Sequence, residues 1–161
     1  MKWMSLCVVC LLAGCPEEEP MDQPDAMVPI GPNFTSLYAN YLDDCAECHA
    51  PGAPGRTADT EQTLDFSTKA TAYTTLKTGM AAGLTGNVAG CNGSNFLAAT
   101  PGASLLLAVL DQPTRNLYDD PAHSMCDMDA ITDETARLST APSAAYIQAM
   151  KDWITAGSPN N

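Results

Sequence analysis

Basic residues are scarce in this chain. Seven Lys and Arg stand against 19 Asp and Glu, for a formal net charge of -12. That balance argues against nucleic acid and against an anionic membrane surface as partners. Its plainest meaning is solubility; its sharper meaning is a basic docking partner. Aromatic residues make up only 6% of the chain, so a large flat cofactor could supply apolar mass that they do not. Histidine occurs only at 49 and 123. No internal repeat is visible, and no convincing run of alternating apolar and polar residues marks a strand. No apolar run reaches the roughly 20 residues needed to span a bilayer. What remains is an ordinary apolar content of 45%, enough to bury a core in one mostly α-helical domain.

The first residues read as an export signal rather than as part of the fold. Lys2 is a short positive region, Trp3 to Leu12 an apolar one, and Ala13-Gly14 are small residues just before Cys15. Leu12-Ala13-Gly14-Cys15 resembles the bacterial lipobox, which implies cleavage before Cys15 and its acylation. Several acyl chains on one residue hold a protein durably to a leaflet. The expected organisation is therefore a signal peptide over 1–14, a lipidated Cys15 with a tether over 15–32, and a folded domain over 33–161. The tether carries Pro16, Pro20, Pro24, Pro29 and Pro32 with Glu17-Glu18-Glu19, and shows no apolar face.

Within the domain, Phe34, Leu37, Tyr38, Tyr41 and Leu42 fall at helical spacing and predict a helix over 35–46, capped by Asn33 or Thr35. Lys69 to Thr78 reads as a second helix ended by Gly79. Pro101 sits in the first turn of a third, running through Leu110. Residues 83–94 and 112–122 read as loops, and Thr132 to Leu138 as a turn or two of helix. The last helix begins near Ser143; Tyr146, Ile147, Met150, Trp153 and Ile154 form its apolar stripe, and Gly157 and Pro159 stop it.

Cys45-Ala46-Glu47-Cys48-His49 has the pattern of c-type haem attachment. Two thiols must reach two vinyl groups on one edge of a porphyrin. Residues three apart on a helix share a face, so Cys45 and Cys48 can both reach. His49 can then aim an imidazole at the iron, where a neutral nitrogen is a good axial ligand. With seven Cys and two His in 161 positions, chance supplies about 0.004 such matches. A structural zinc site would want a second Cys/His pair at short spacing, and Cys91 and Cys126 each stand alone. A thiol-disulfide enzyme would want a strand before the motif, within a βαβ unit.

Cys7 and Cys10 leave with the signal, Cys15 takes lipid, and Cys45 and Cys48 take haem. Cys91 and Cys126 remain as one pair in an exported domain, where disulfides persist, and a disulfide between them is expected. The alternative is two inert buried thiols. The second iron ligand is less determined. Met128 is favoured, then Met125, then His123, because the two Met flank Cys126 just upstream of the last helix. Met80 or an open site is the remaining choice, and Met150 reads as core. Arg56 and Lys69 could pair with haem propionates, but such residues are more often simply solvated. The turn Ala50-Pro51-Gly52-Ala53-Pro54 could accept the other ring proton of His49.

On Cys45 to His49, Leu64-Asp65-Phe66 with Tyr73 and Leu76, Pro101 to Leu106, and Met150 to Asn161, the domain resembles the small single-haem c-type cytochrome domains of envelope lipoproteins, the planctomycete type in particular. The resemblance implies an all-α, compact cytochrome c-like helical domain with long loops, whose N- and C-terminal helices cross, here 34–46 against 143–156. It also implies a Met-Pro pair shortly before the last helix; here Asp129 follows Met128. The expected function is electron transfer by one covalent haem c, with no bond chemistry of its own. The partners would be envelope redox proteins and, through the lipid, a membrane. The location would be the periplasmic side of the envelope, with the outer membrane ahead of the inner. Rival readings are a peroxidase-like haem enzyme or ligand-binding module with an open distal position, and a haem sensory or accessory module.

Overall fold

Asn33 opens the first helical segment. Its backbone is extended, and its side-chain oxygen accepts the Ser36 N–H at 2.8 Å, satisfying one of the donors a helix start leaves over. Helix α1 then runs Phe34–Leu37. The computed structural model describes residues 29–53, 64–118, 126–127 and 141–161. Among them the chain is helical and forms no strand, only an isolated antiparallel bridge between Met80 and Asn95. No helix of the described residues is long and apolar enough to cross a membrane.

The single helix expected over 35–46 is in fact three kinds of turn in succession. After α1, Tyr38–Leu42 widens to a π-helix, where the Asp43 N–H reaches back to Tyr38 O at 3.1 Å. Asp44–Glu47 then tightens to a 3₁₀-helix. A wide turn lags the α-helical phase and a tight one leads it. The two partly offset each other, and Cys45 still faces inward at 9% exposure.

Helix α2, Lys69–Thr78, starts on a capping box between Thr68 and Thr71 and stops at Gly79. A Cβ at Gly79 would collide with the Thr75 carbonyl and lie 2.9 Å from the Phe96 ring, so only glycine fits this close approach. The following loop folds back on itself, with Ala81 N–H to Ser94 O at 2.9 Å and Gly93 N–H to Ala81 O at 2.8 Å. It includes a 3₁₀-helix at Gly86–Cys91.

The helix expected from 101 to 110 is interrupted. Pro101–Ala103 is 3₁₀, and α3 runs Leu105–Leu110. Between them lies fully buried Ser104, whose hydroxyl accepts from Ala98 N–H (2.9 Å) and donates to Thr100 O (3.0 Å). Residues 112–118, expected to be loop, form α4, Gln112–Tyr118. Asp111 explains the helix. Its carboxylate takes the Thr114 N–H at 3.2 Å and the Thr114 hydroxyl at 2.5 Å, which makes an N-cap that a loop-rich composition concealed. Arg115 donates back to Ala108 O and Val109 O, covering carbonyls at the end of α3.

Helix α5, Ala144–Thr155, begins on the Ser143 hydroxyl. Its stripe of Tyr146, Ile147, Met150, Trp153 and Ile154 is buried. Gly157, at φ 87°, turns the chain: its N–H meets Ile154 O and the Ser158 N–H meets Trp153 O, each at 2.9 Å, the Schellman closure of a helix.

The core forms where α1 and α5 meet. Phe34 stacks on Trp153 (centroids 5.4 Å, 26°), Tyr41 packs on Tyr146 (5.2 Å), and Tyr146 donates to Leu37 O at 3.0 Å. The Asn161 carbonyl accepts both the N–H and the hydroxyl of Thr35 (2.8 and 2.7 Å), drawing residues past α5 onto the start of α1. Helix α2 is tied to the same place, Tyr73 donating to Ser158 O at 2.9 Å and Lys77 to Gly157 O at 2.7 Å.

Candidate functional site

The tight turn Asp44–Glu47 carries the residues singled out by spacing. Cys45 lies within it and Cys48 closes it. The Cys45 carbonyl accepts two hydrogen bonds, from Cys48 N–H at 3.2 Å and from His49 N–H at 2.8 Å. One acceptor thus gathers Cys45, Cys48 and His49 into a single local structure. Cys45 is buried, Cys48 and His49 are half-buried, and neither sulfur is in a disulfide.

The Cys45 environment keeps its sulfur neutral. Burial, reinforced by Asp44 and Asp43, pushes the thiol up to about 12. Tyr41 beside it is raised to about 12 by burial and then by Cys45 and Asp44. Tyr146 is raised well above its ordinary value, first by burial. Outside, Asp43, Asp44 and Glu47 are exposed, so the rim of the turn is acidic.

His49 is held from the other side by Phe66. The Phe66 N–H donates to His49 O at 2.7 Å, and the two rings meet edge to face with centroids 5.8 Å apart at 71°. In the turn after His49, Ala50 O accepts the Ala53 N–H at 3.1 Å. Lys69 donates to the Thr35 hydroxyl at 2.8 Å instead of reaching toward the cysteine turn.

Cys91 and Cys126 are joined, with sulfurs 1.98 Å and Cα atoms 4.7 Å apart across a sequence separation of 35. Asp127, next along, donates its N–H to Asn87 O at 2.8 Å, docking this segment on the Gly86–Cys91 turn. Met150 is fully buried in the core, and Met80 is 51% exposed at the Asn95 bridge. Met125, Met128, His123, Arg56 and Cys15, the expected site of lipid, lie outside the described residues, as do the expected signal peptide, most of the expected tether and the helical turn expected at 132–138. Among the described residues no three His, Cys, Asp or Glu side chains converge as a metal-holding group.

Sequence reasoning did not single out Tyr38 as a site residue, or the bond between Asp111 and Lys151. The Tyr38 hydroxyl donates to Phe66 O at 2.9 Å, a contact across 28 residues that no local pattern announces. The Asp111 carboxylate meets Lys151 of α5 at 2.8 Å. Burial alone would raise this carboxyl; Lys151 and Thr114 more than offset it and hold the group below its ordinary value.

Compared with protein-family models, curated proteins and solved structures, the chain matches none.

Proposed function

We propose that this chain is a single-haem c-type cytochrome that moves electrons one at a time in the bacterial envelope, anchored to a membrane through lipid on Cys15. The observation that carries the reading is the contrast within one domain. Two cysteines three positions apart stay out of any disulfide at the end of a helical segment, with the backbone N–H of the following histidine on the Cys45 carbonyl, while the other described pair is cross-linked.

In this reading Cys45 and Cys48 each add S–H across a vinyl group. The sulfur bonds to one vinyl carbon, the hydrogen goes to the other, and no oxidant is needed. His49 would supply a nitrogen to the iron; its backbone N–H is fixed on Cys45 O and its ring lies edge to face with Phe66. Bound haem supplies a one-electron iron couple. The chain's own work is to hold the group in an apolar shell and set its potential. Tyr41, Tyr146 and the α1–α5 seam beside Cys45 are apolar mass of that kind. That seam is also what supports a cytochrome c-like crossing of the first and last helices.

Met128 would supply the second iron ligand, with Met125 and then His123 as the alternatives. Met ligation gives a weak far-red band in the oxidised spectrum, whereas an open site gives a high-spin spectrum and would favour the peroxidase-like rival. The partners are envelope redox proteins, and the acidic rim suits a basic one.

The test is haem staining of the purified chain after denaturation, from cells able to mature such cytochromes. Colour that stays with the polypeptide is expected. A colourless chain at the bare polypeptide mass overturns the proposal.

A further inference from the structure

Phe66 occupies an unusual place relative to His49. All three of its parts that can make directed contacts are used, and all toward the same neighbourhood. Its N–H donates to His49 O (2.7 Å), its carbonyl accepts the Tyr38 hydroxyl (2.9 Å), and its ring meets the His49 ring edge to face (5.8 Å, 71°). The residue is 2% exposed. The chain on either side of it is fixed as well. The Asp65 side chain accepts the Ser67 N–H at 2.9 Å in a local turn, and Thr68 opens α2 with its capping box. Tyr38 in turn stands on the π-helical turn seven residues before Cys45 and packs against the Phe34 ring (6.2 Å). The brace therefore starts on the segment that carries the cysteines, crosses to Phe66 and returns to the histidine.

We propose that Phe66, braced by Tyr38, is the positioning residue for His49, fixing the rotation of the imidazole plane about the bond it would make to iron. This rests on the haem reading above. An imidazole attached through one backbone residue and one metal bond still turns about its own axis. A ring pressed edge-on against it, with both of its backbone polar groups pinned, removes that freedom at little entropic cost, because the order was established in folding. The orientation of the ligand plane sets how unpaired spin is spread over the macrocycle, which gives the brace a readout separate from stability.

Tyr38→Phe deletes the hydroxyl and keeps the ring. Tyr73→Phe is its matched control: it also deletes a tyrosine hydroxyl donating to a backbone carbonyl at 2.9 Å, that of Ser158, away from His49. Both variants and the parent are purified with haem attached, checked by intact mass, and compared by proton NMR of the oxidised form. The expected result is full haem attachment in all three, with the spread and order of the four haem-methyl resonances changed in Tyr38→Phe and unchanged in Tyr73→Phe. Phe66→Leu, which keeps an apolar side chain but loses the ring edge, changes the pattern further and serves in place of Tyr38→Phe if that variant does not accumulate. Identical methyl patterns in the parent, Tyr38→Phe and Phe66→Leu overturn the inference, as does an equal change in Tyr73→Phe. A parent chain that carries no haem overturns the underlying reading instead, and its intact mass tells the two failures apart.

Discussion

Cys45 and Cys48 are three residues apart on one tight helical turn and are not cross-linked to each other; Cys91 and Cys126 are 35 residues apart and are joined. The first pair lies beside an imidazole, under an aromatic seam, with acidic residues outside it. The second ties a 3₁₀ turn in a glycine-rich loop to a segment that also docks by its backbone. The helical region is held together by packing α1 on α5, with no cross-link between its cysteines. The loop region has little regular structure, and a cross-link there restricts the unfolded chain. The same residue type thus stands in two settings, unlinked in packed helix and cross-linked in loop, and the proposed function gives them two roles.

Removing each pair separately should expose that difference. Cys45→Ser combined with Cys48→Ser should abolish covalent haem altogether, read by staining and mass. Cys91→Ser combined with Cys126→Ser should keep haem on the chain yet lower its stability by about 4 kcal/mol, the chain-entropy value for a loop of this length, read by denaturant titration of otherwise identical preparations. If removal of the second pair also prevented attachment under conditions where the chain is folded, the division of roles would fail.

The α3–α5 side of the molecule sharpens the comparison, because it is held by an ion pair rather than a cross-link. Asp111→Asn keeps the side-chain oxygen that caps α4 and leaves Lys151 without its charge partner. The cost should be about 2 kcal/mol at neutral pH, less than for a fully buried pair, because Lys151 keeps 30% exposure. The carboxyl is held below its ordinary value in the folded chain. Its contribution is therefore present above the unfolded-chain value, near pH 4 for Asp, and disappears as pH falls through the lower folded value. The variant should lose stability at pH 7 and show a flatter acid limb than the parent; parallel acid limbs would contradict this.

Gly157→Ala should give the smallest effect. Its φ of 87° penalises a Cβ, yet nothing lies within 4 Å of where that atom would go. A loss of about 1 kcal/mol from backbone strain alone is expected, measured by thermal melting, with the haem spectrum unchanged.

Local patterns in the sequence carried much of this structure. The stripe from Tyr146 to Ile154 was legible because three- and four-residue steps place side chains on one helical face, and each of those residues is buried. Gly79 and Gly157 were legible as stops for the same local reason. The π and 3₁₀ turns over 38–47 were not, since a change of helical pitch leaves no mark in a five-residue apolar pattern. Helix α4 was hidden by Pro113 and a polar composition, and it depends on the capping carboxylate of Asp111 just before it. For the candidate site, Cys45, Cys48 and His49 were read from spacing alone. Their support from Tyr38 and Phe66 depends on contacts 28 and 17 residues apart in the chain, set by tertiary packing.

The most direct measurement is the chemical state of the four domain cysteines in native mature protein, by peptide mapping after denaturation and alkylation without reductant. The account predicts no alkylated cysteine: Cys45 and Cys48 on one haem-bearing peptide, and Cys91 linked to Cys126. Alkylated Cys45 and Cys48, or those two joined to each other, would contradict it.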